Sequence, residues 1–380
     1  MSIATGQTPI TPAVTPVQLL DAAGRLVESP AGDELMPFVE ALSDADLRQF
    51  HRDMVVTRRF DDEAGHLQRQ GQLALWVPSH GQEAAQVGSA RALRRQDHVF
   101  PSYREHAVGI VRGIDPIDII RLLRGTTLGG WNPADHANFH LYTLVIGSQT
   151  IHATGYALGI TLDGGYATGD LTRDEAVVTY FGDGSTSQGD VSEALVFAAS
   201  FQTPEVFFLQ NNHWAISVPV ATQSRTPLYL RGEGFGIPST QIDGNDVLAS
   251  YAVTKRDADA ARSGGGPRFI EALTYRIGAH TSSDDPSKYR TDAELQSWIA
   301  RDPIARFETY LRGRGADDAF FAEIETEAAD VADDVRRRTL ALEIPPVGLI
   351  FDHVYSEPHP RIDEQREWLH NHEASLGGLA

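Results

Sequence analysis

The chain has 380 residues, a formal net charge of −20 and no cysteine, with 41% hydrophobic and 22% charged residues. That length holds one large α/β domain with extensions or two modest domains, and the acidic balance excludes nucleic acid as an ordinary partner, because a phosphate backbone needs a basic face. The missing cysteines exclude disulfides, thiolate catalysis and cysteine-ligated metal, and they fit a reducing cytoplasm.

Residues 1–45 are rich in Thr, Pro and Gly and read as an extended N-terminal arm. The opening MSIATGQTPITPAVTPVQLL has no basic region leading into a long apolar core. No secretory signal is therefore expected, and no apolar run approaches the span of a bilayer. A cytoplasmic chain without membrane contact is the expectation.

From about residue 46 helix and strand patterns alternate. SHGQEAAQVGSARAL (79–93) looks like a helix start with Ser79 as cap and Gln82 three residues on. DHVFPSY (97–103) is extended, and GSQTIHATGYALGI (147–160) is a helix whose small residues suit close packing. Strand-like AVVTYF (176–181), helix-like QGDVSEALVFAAS (188–200) and strand-like EVFFLQ (205–210) follow. STQIDG (239–244) precedes a helix over about 246–262, and PRFIEALTYRI (267–277) is a further apolar strand. Continuously apolar strands alternating with helices predict a doubly wound, mostly parallel sheet covered on both faces, over residues 46–315. Residues 316–380 form a C-terminal extension: an amphipathic helix over 316–343, with Phe321, Ile324, Ala328, Val331, Val335 and Leu342 at helical spacing, and then a docked tail.

Two turns stand out, GDGSTSQGD (182–190) and QNNHWAIS (210–217). Each follows an apolar strand, and residues 185–210 between Gly184 and Asn211 are enough for helix, turn and strand in one βαβ unit. Asp183 and Asn212 are thereby brought side by side at the carboxyl edge of the sheet, where α/β proteins bind ligands. A carboxylate oxygen and an amide oxygen suit Mg²⁺ or Ca²⁺ and not a soft metal. Two protein oxygens leave coordination positions for phosphate and water. Gly182 and Gly184 allow close backbone approach and unusual dihedrals, and a helix starting near 185–187 turns amide hydrogens toward the same spot. GDG or NN alone is a common turn; together at this spacing they read as a metal–diphosphate clamp.

The GDG–helix–strand–NN order resembles the thiamine diphosphate motif. GQEAAQVGSA (81–90), PSYREHAV (101–108), NNHWAIS (211–217), IDGND (242–246) and YRIGAHTSSDDPSKYR (275–290) extend the resemblance to the alpha subunit of thiamine-diphosphate-dependent 2-oxo acid dehydrogenases, over about residues 60–310. GAHTSSDDPSKYR and NNHWAIS look closest to the branched-chain 2-oxo acid dehydrogenase alpha subunit; pyruvate dehydrogenase alpha subunits carry similar blocks.

The resemblance implies a thiamine diphosphate-binding fold, with Asp183, the Asn212 side chain and the Trp214 carbonyl on Mg²⁺. Gly182, Gly184 and Ser185 would line the diphosphate, and Tyr103 and Arg104 would reach its oxygens. The bland alternative for Arg104 is a surface ion pair with Glu105 or another carboxylate. Some relatives carry arginine where this chain has Gln210, which removes one phosphate contact. Leu144 and Ile146, in LYTLVIGSQ (141–149), match positions that hold the aminopyrimidine through backbone groups, Ile146 also as the wedge that keeps the cofactor folded; the bland alternative, that both are core residues, is compatible with that role. Thr143, Ser148 and Gln149 match a potassium site of some relatives.

His280 matches the active-site histidine. Neutral or protonated, it could bond a phosphate or substrate carboxylate and shuttle a proton; otherwise it is a water-exposed loop residue. His80 and His152 are further candidates to face the site. The polar loop 281–290 reads as mobile, and its Thr281, Ser282 and Ser283 lie where animal relatives are phosphorylated.

The implied activity is oxidative decarboxylation of a branched-chain 2-oxo acid with acyl transfer to the lipoyl group of an acyltransferase component. The alternatives are a pyruvate or acetoin dehydrogenase alpha subunit and, further off, a non-enzymatic phosphate- or metal-binding α/β protein. No carboxylic group for the aminopyrimidine is evident. The resemblance puts it on a beta subunit, in an α2β2 heterotetramer. Finally, RGEGFGIPS (231–239) contains GxGxG, but no strand precedes it and Pro238 blocks a helix, so a loop is expected rather than a dinucleotide fingerprint.

Overall fold

A computed structural model describes residues 15–377. Its centre is a parallel sheet of five strands: β1 (His98–Phe100), β2 (Val177–Gly182), β3 (Glu205–Asn211), β6 (Ser239–Asp243) and β7 (Arg268–Leu273), in the order β1-β2-β3-β7-β6. A two-residue antiparallel pair, β4 (Trp214–Ala215) and β5 (Val218–Pro219), lies just beyond β3. The sheet strands are apolar because both faces are covered. Val178, Tyr180, Val206, Phe208, Ile270 and Ala272 enter one large core, which also takes Leu248 and Ala252 of the helix Val247–Arg262. The alternate residues Phe181, Phe207, Leu209 and Phe269 point the other way, onto Val191, Ala194, Leu195 and Ala198 of the helix Gly189–Phe201.

The small residues of the 79–93 segment have a visible use. A Cβ on Gly88 would sit 2.6 Å from the Val247 carbonyl oxygen, so the helix Glu83–Arg91 can lie directly on the helix Val247–Arg262 only with glycine there. Ser79 is not that helix's cap. The helix starts at Glu83 without a side-chain cap, and Ser79 instead donates its backbone N–H to Asp61 at 2.9 Å. The expected helix at 147–160 is the helix Ser148–Asp163, ended by Gly164 in a left-handed conformation.

The N-terminal arm is not wholly extended. Residues 1–14 lie outside the described residues, but Pro30–Glu40 is a helix. Its cap Ser29 accepts from Gly32, and Leu35 and Val39 are buried in the main core. The GxGxG segment also departs from the expected loop, since Leu230–Gly234 is a short helix that leads into β6.

At the other end, the amphipathic helix Asp318–Leu340 buries Phe321, Ile324, Ala328 and Val335 and packs along the helix Asp44–Arg69. The tail beyond it, expected to dock, is largely exposed. The helix Pro360–Ser375 has no buried residue, and Arg366 bonds the Gly348 carbonyl and Asp352 of the preceding turn. Among the described residues, no helix is long and apolar enough to cross a membrane.

Candidate active site

The parallel register places Gly182 of β2 opposite Gln210 of β3, so the GDG and NN turns leave the same sheet edge side by side. A pocket of about 200 Å³ opens there. Of the residues singled out in the sequence, Tyr103, Arg104, Ile146, Gly182, Asp183, Gly184, Ser185, Asn212, Trp214 and His280 all contribute to its wall. Leu144 does not; its side chain stands 66% exposed at the rim. Neither Leu144 nor Ile146 is a core residue, since Ile146 is also exposed. His80 and His152 are absent from the wall, and His152 faces solvent on the helix Ser148–Asp163.

Asp183 is 2% exposed and accepts from the Gln223 amide at 3.1 Å. Burial pushes its carboxyl up to about 6, opposed by the Gln223 bond, by Arg276 and by the Asn212 backbone N–H. A desolvated carboxylate with no ion pair favours a cation beside it. The Asn212 side-chain oxygen is 3.3 Å from the Trp214 backbone N–H, and its amide reaches Gln82 at 3.3 Å. The Trp214 carbonyl accepts from Arg276 at 3.1 Å, which holds the β4 turn against the end of β7.

Among the described residues no group of three or more His, Cys, Asp or Glu converges on one point. A metal here would rest on Asp183, neutral oxygens and ligand oxygens, which is the donor set of Mg²⁺. The glycines act through space rather than dihedrals. Gly182 is extended, with φ −89° and ψ 168°, and Gly184 is not among the positive-φ glycines. A Cβ on Gly184 would lie 2.8 Å from that of Ala215. The chain after GDG is a 3-10 turn, Asp183–Ser187, and the α-helix begins only at Gly189.

Arg104 forms no ion pair with Glu105. Buried, it donates to the Pro78 carbonyl, to the His280 carbonyl at 3.1 Å and to His280 Nδ1 at 3.1 Å. Glu105 lies in the pocket wall and accepts from Gln210 at 2.6 Å and Ser102 at 2.8 Å, while burial raises its carboxyl above the usual range. Gln210 thus bonds a carboxylate in this chain. His280 is half-buried rather than a free loop residue. Desolvation, then Arg104 and Arg276, hold its imidazolium down to about 4, against the pull of Asp284. The loop beyond it is tied by Ser282, whose backbone N–H bonds the Trp76 carbonyl at 2.9 Å and whose Oγ accepts from Trp76 N–H at 3.0 Å.

Of the proposed potassium ligands, Thr143 and Gln149 line the pocket, while the Ser148 hydroxyl bonds the Val145 carbonyl at 3.0 Å. Sequence reasoning missed Gln82, Glu105, Gln223 and Arg276. Arg276 carried a signal, four residues before His280 at the end of an apolar strand. Gln223 carried none.

A parallel α/β sheet carries a buried carboxylate, an amide oxygen, a buried guanidinium and an imidazole around one pocket at its edge. The Dehydrogenase E1 component family matches residues 51–339. The 3-methyl-2-oxobutanoate dehydrogenase subunit alpha of Mycobacterium tuberculosis (strain ATCC 25618 / H37Rv) is 44% identical over 330 residues, 86% of this chain and 88% of that one. The pyruvate dehydrogenase E1 component subunit alpha of Acholeplasma laidlawii is 39% identical over 341 residues, covering 88% and 94% of the two chains. Its Staphylococcus aureus (strain Mu50 / ATCC 700699) counterpart is 36% identical over 334 residues, covering 85% and 86%. The chain belongs to the Dehydrogenase E1 component family, as a 2-oxo acid dehydrogenase alpha subunit. That family implies thiamine diphosphate as cofactor.

Proposed function

We propose that this chain binds the diphosphate end of thiamine diphosphate with Mg²⁺ and serves as the alpha subunit of a branched-chain 2-oxo acid dehydrogenase acting on acids such as 3-methyl-2-oxobutanoate. The observation that carries the reading is the meeting of Asp183, Asn212, Arg104 and His280 in one pocket at the carboxyl edge of the sheet. The branched-chain assignment rests on the likeness to the mycobacterial subunit at 44% identity.

In this reading Asp183, the Asn212 oxygen and the Trp214 carbonyl hold Mg²⁺, and Gly182, Gly184 and Ser185 let the diphosphate approach. Tyr103 and Arg104 bind its oxygens, Arg104 with the planar donor geometry that suits phosphate. Thiamine diphosphate supplies the electron sink for decarboxylation. Ile146 shapes the cofactor from the rim, and K⁺ would sit near Thr143 and Gln149. His280, in the pocket wall, bonds a phosphate oxygen or a substrate carboxylate and shuttles a proton.

The remainder of the active site belongs to a beta subunit. Exposed apolar side chains support that arrangement: Leu144, Val145 and Ile146 at the rim, Ile151 and Tyr156 on the adjoining helix, and Phe197 beyond. Exposed apolar side chains in such number around a pocket favour an interface there. The expected assembly is an α2β2 heterotetramer that passes its acyl product to a lipoyl-bearing acyltransferase, in the cytoplasm.

A second reading, pyruvate as substrate, is favoured by the two pyruvate dehydrogenase subunits at 39% and 36% identity. The chain co-purified with its beta-type subunit, given thiamine diphosphate, Mg²⁺ and an artificial electron acceptor, is assayed on 3-methyl-2-oxobutanoate and on pyruvate. At least a tenfold preference in kcat/KM for the branched acid is expected. Preference for pyruvate would move the enzyme to the second reading, and turnover of neither would remove both.

A further inference from the structure

Arg276 lies outside the pocket wall and is 0% exposed, yet it joins three parts of the site. Its guanidinium donates to the Trp214 carbonyl at 3.1 Å, to the Ile216 carbonyl at 2.7 Å and to the Tyr289 hydroxyl at 2.8 Å. It also stands 3.3 Å from His280 Nδ1, which lies 3.1 Å from Arg104. A guanidinium has only N–H groups and cannot accept a hydrogen bond. With an arginine nitrogen on each of these two approaches, His280 Nδ1 must offer a lone pair. A neutral imidazole then carries its one proton on Nε2. Nε2 has no protein partner among the described residues, while the ring forms part of the pocket wall.

We infer that Arg276 is a positioning residue: with Arg104 it holds the His280 ring as the neutral Nε2–H tautomer, which turns an N–H donor toward an anionic oxygen of the ligand. Of the remaining groups that face the ring, only the Asp284 carboxylate favours the imidazolium, and it makes no bond to a ring nitrogen. Asp284 is engaged elsewhere, accepting from the His280 backbone N–H at 2.8 Å and from the Tyr289 hydroxyl, and Tyr103 approaches edge-on at 6.3 Å between ring centroids. His280 therefore acts in the resting site as a fixed donor to an oxyanion, either a phosphate oxygen or a 2-oxo acid carboxylate. The loop 281–290 and the β4 turn are held in register by the same guanidinium. The ligand half of this inference rests on the proposed function; the tautomer half does not.

The test is NMR of the chain labelled with ¹⁵N in its histidine side chains and assembled with its beta-type subunit at pH 7. The His280 signal is identified by its loss in His280→Gln. Before any ligand is added, one neutral tautomer with the proton on Nε2 is expected. Arg276→Gln should give a mixture of tautomers, and Arg276→Lys, which keeps a cationic donor, should recover part of the wild-type pattern and covers the case that the Gln variant does not fold. An imidazolium, a proton on Nδ1 in the wild type, or an unchanged tautomer in both Arg276 variants would overturn the inference. Thiamine diphosphate with Mg²⁺ is then added, followed by 3-methyl-2-oxobutanoate. A shift of the Nε2 signal at the first addition assigns the phosphate oxygen, and one only at the second assigns the carboxylate. No shift at either step, with binding verified by calorimetry, would overturn the donor role. Absence of any cofactor binding would instead count against the proposed function and leave the tautomer result standing.

Discussion

The two sides of the pocket are built differently. On the diphosphate side every named group is buried or tied: Asp183 to Gln223, Asn212 to Gln82, Arg104 to Pro78 and His280, and Glu105 to Gln210 and Ser102. On the opposite rim, Leu144, Val145 and Ile146 stand 66%, 71% and 38% exposed. The first side is pre-formed by this chain alone, and its polar groups are oriented before a ligand arrives, as a site for charge requires. The second is apolar surface without a cover. The difference teaches that polar groups held by their own chain and apolar groups left exposed can line one pocket.

Burial also makes the fold acid-sensitive, most clearly at His106, next in sequence to the pocket-wall residue Glu105. His106, fully buried, bonds the Val77 carbonyl at 2.8 Å and the Tyr142 hydroxyl at 2.7 Å, and burial holds its imidazolium down to about 4. Its ordinary value is 6.5, so between pH 6.5 and 4 the unfolded chain binds a proton that the native one does not. Stability is therefore lost as pH falls through that window, by about 3 kcal/mol from this group. Denaturant titrations of His106→Asn should show a lower stability at neutral pH but a shallower fall toward pH 4. An unchanged slope would show that burial of His106 does not set the acid sensitivity.

Asp183→Ala is expected to weaken binding of thiamine diphosphate with Mg²⁺ by roughly a hundredfold or more, beyond the loss usual for an outer-shell partner. The apo unfolding midpoint should not fall, because the buried carboxylate there has no ion pair. Calorimetry and thermal unfolding on the same preparation read both quantities; unaltered affinity would remove the metal role of Asp183.

The rim should behave in the opposite way. Ile146→Ala is expected to lower kcat/KM by about tenfold or more, since small displacements of a bound reactant are costly, while stability in the unassembled chain stays within about 0.5 kcal/mol. Leu144→Ala, outside the pocket wall, should change activity less. Equal effects of the two substitutions would show that wall position does not matter. The smallest effect is expected from removing residues 347–380. The tail helix buries nothing, so the unfolding free energy should move by no more than about 0.5 kcal/mol.

Much of the buried side was legible in the sequence, for a physical reason. Apolar strands such as Val177–Phe181 and Val206–Leu209 belong in a parallel sheet, and parallel strands present their following turns at one edge. Asp183 and Asn212 could therefore be placed together. Arg276 was not legible as a hub, because its acceptors are carbonyls at 214 and 216 that no residue type announces. Ser79 has the chemistry of a helix cap, but Asp61, eighteen residues earlier, takes its N–H. The helix Pro30–Glu40 was hidden by prolines and a glycine around the spacing of Leu35 and Val39. Whether Leu144 and Ile146 are covered was not legible, because a single sequence does not say whether an apolar side chain will be covered by its own chain.

The central claim, that this chain frames one side of an active site and needs another chain for the rest, is tested most directly by carbon dioxide release from 3-methyl-2-oxobutanoate. The chain is assayed alone and then with its beta-type subunit, at saturating thiamine diphosphate and Mg²⁺. No release from the chain alone and sustained release from the pair is the expected result. Comparable turnover by the chain alone would contradict the account.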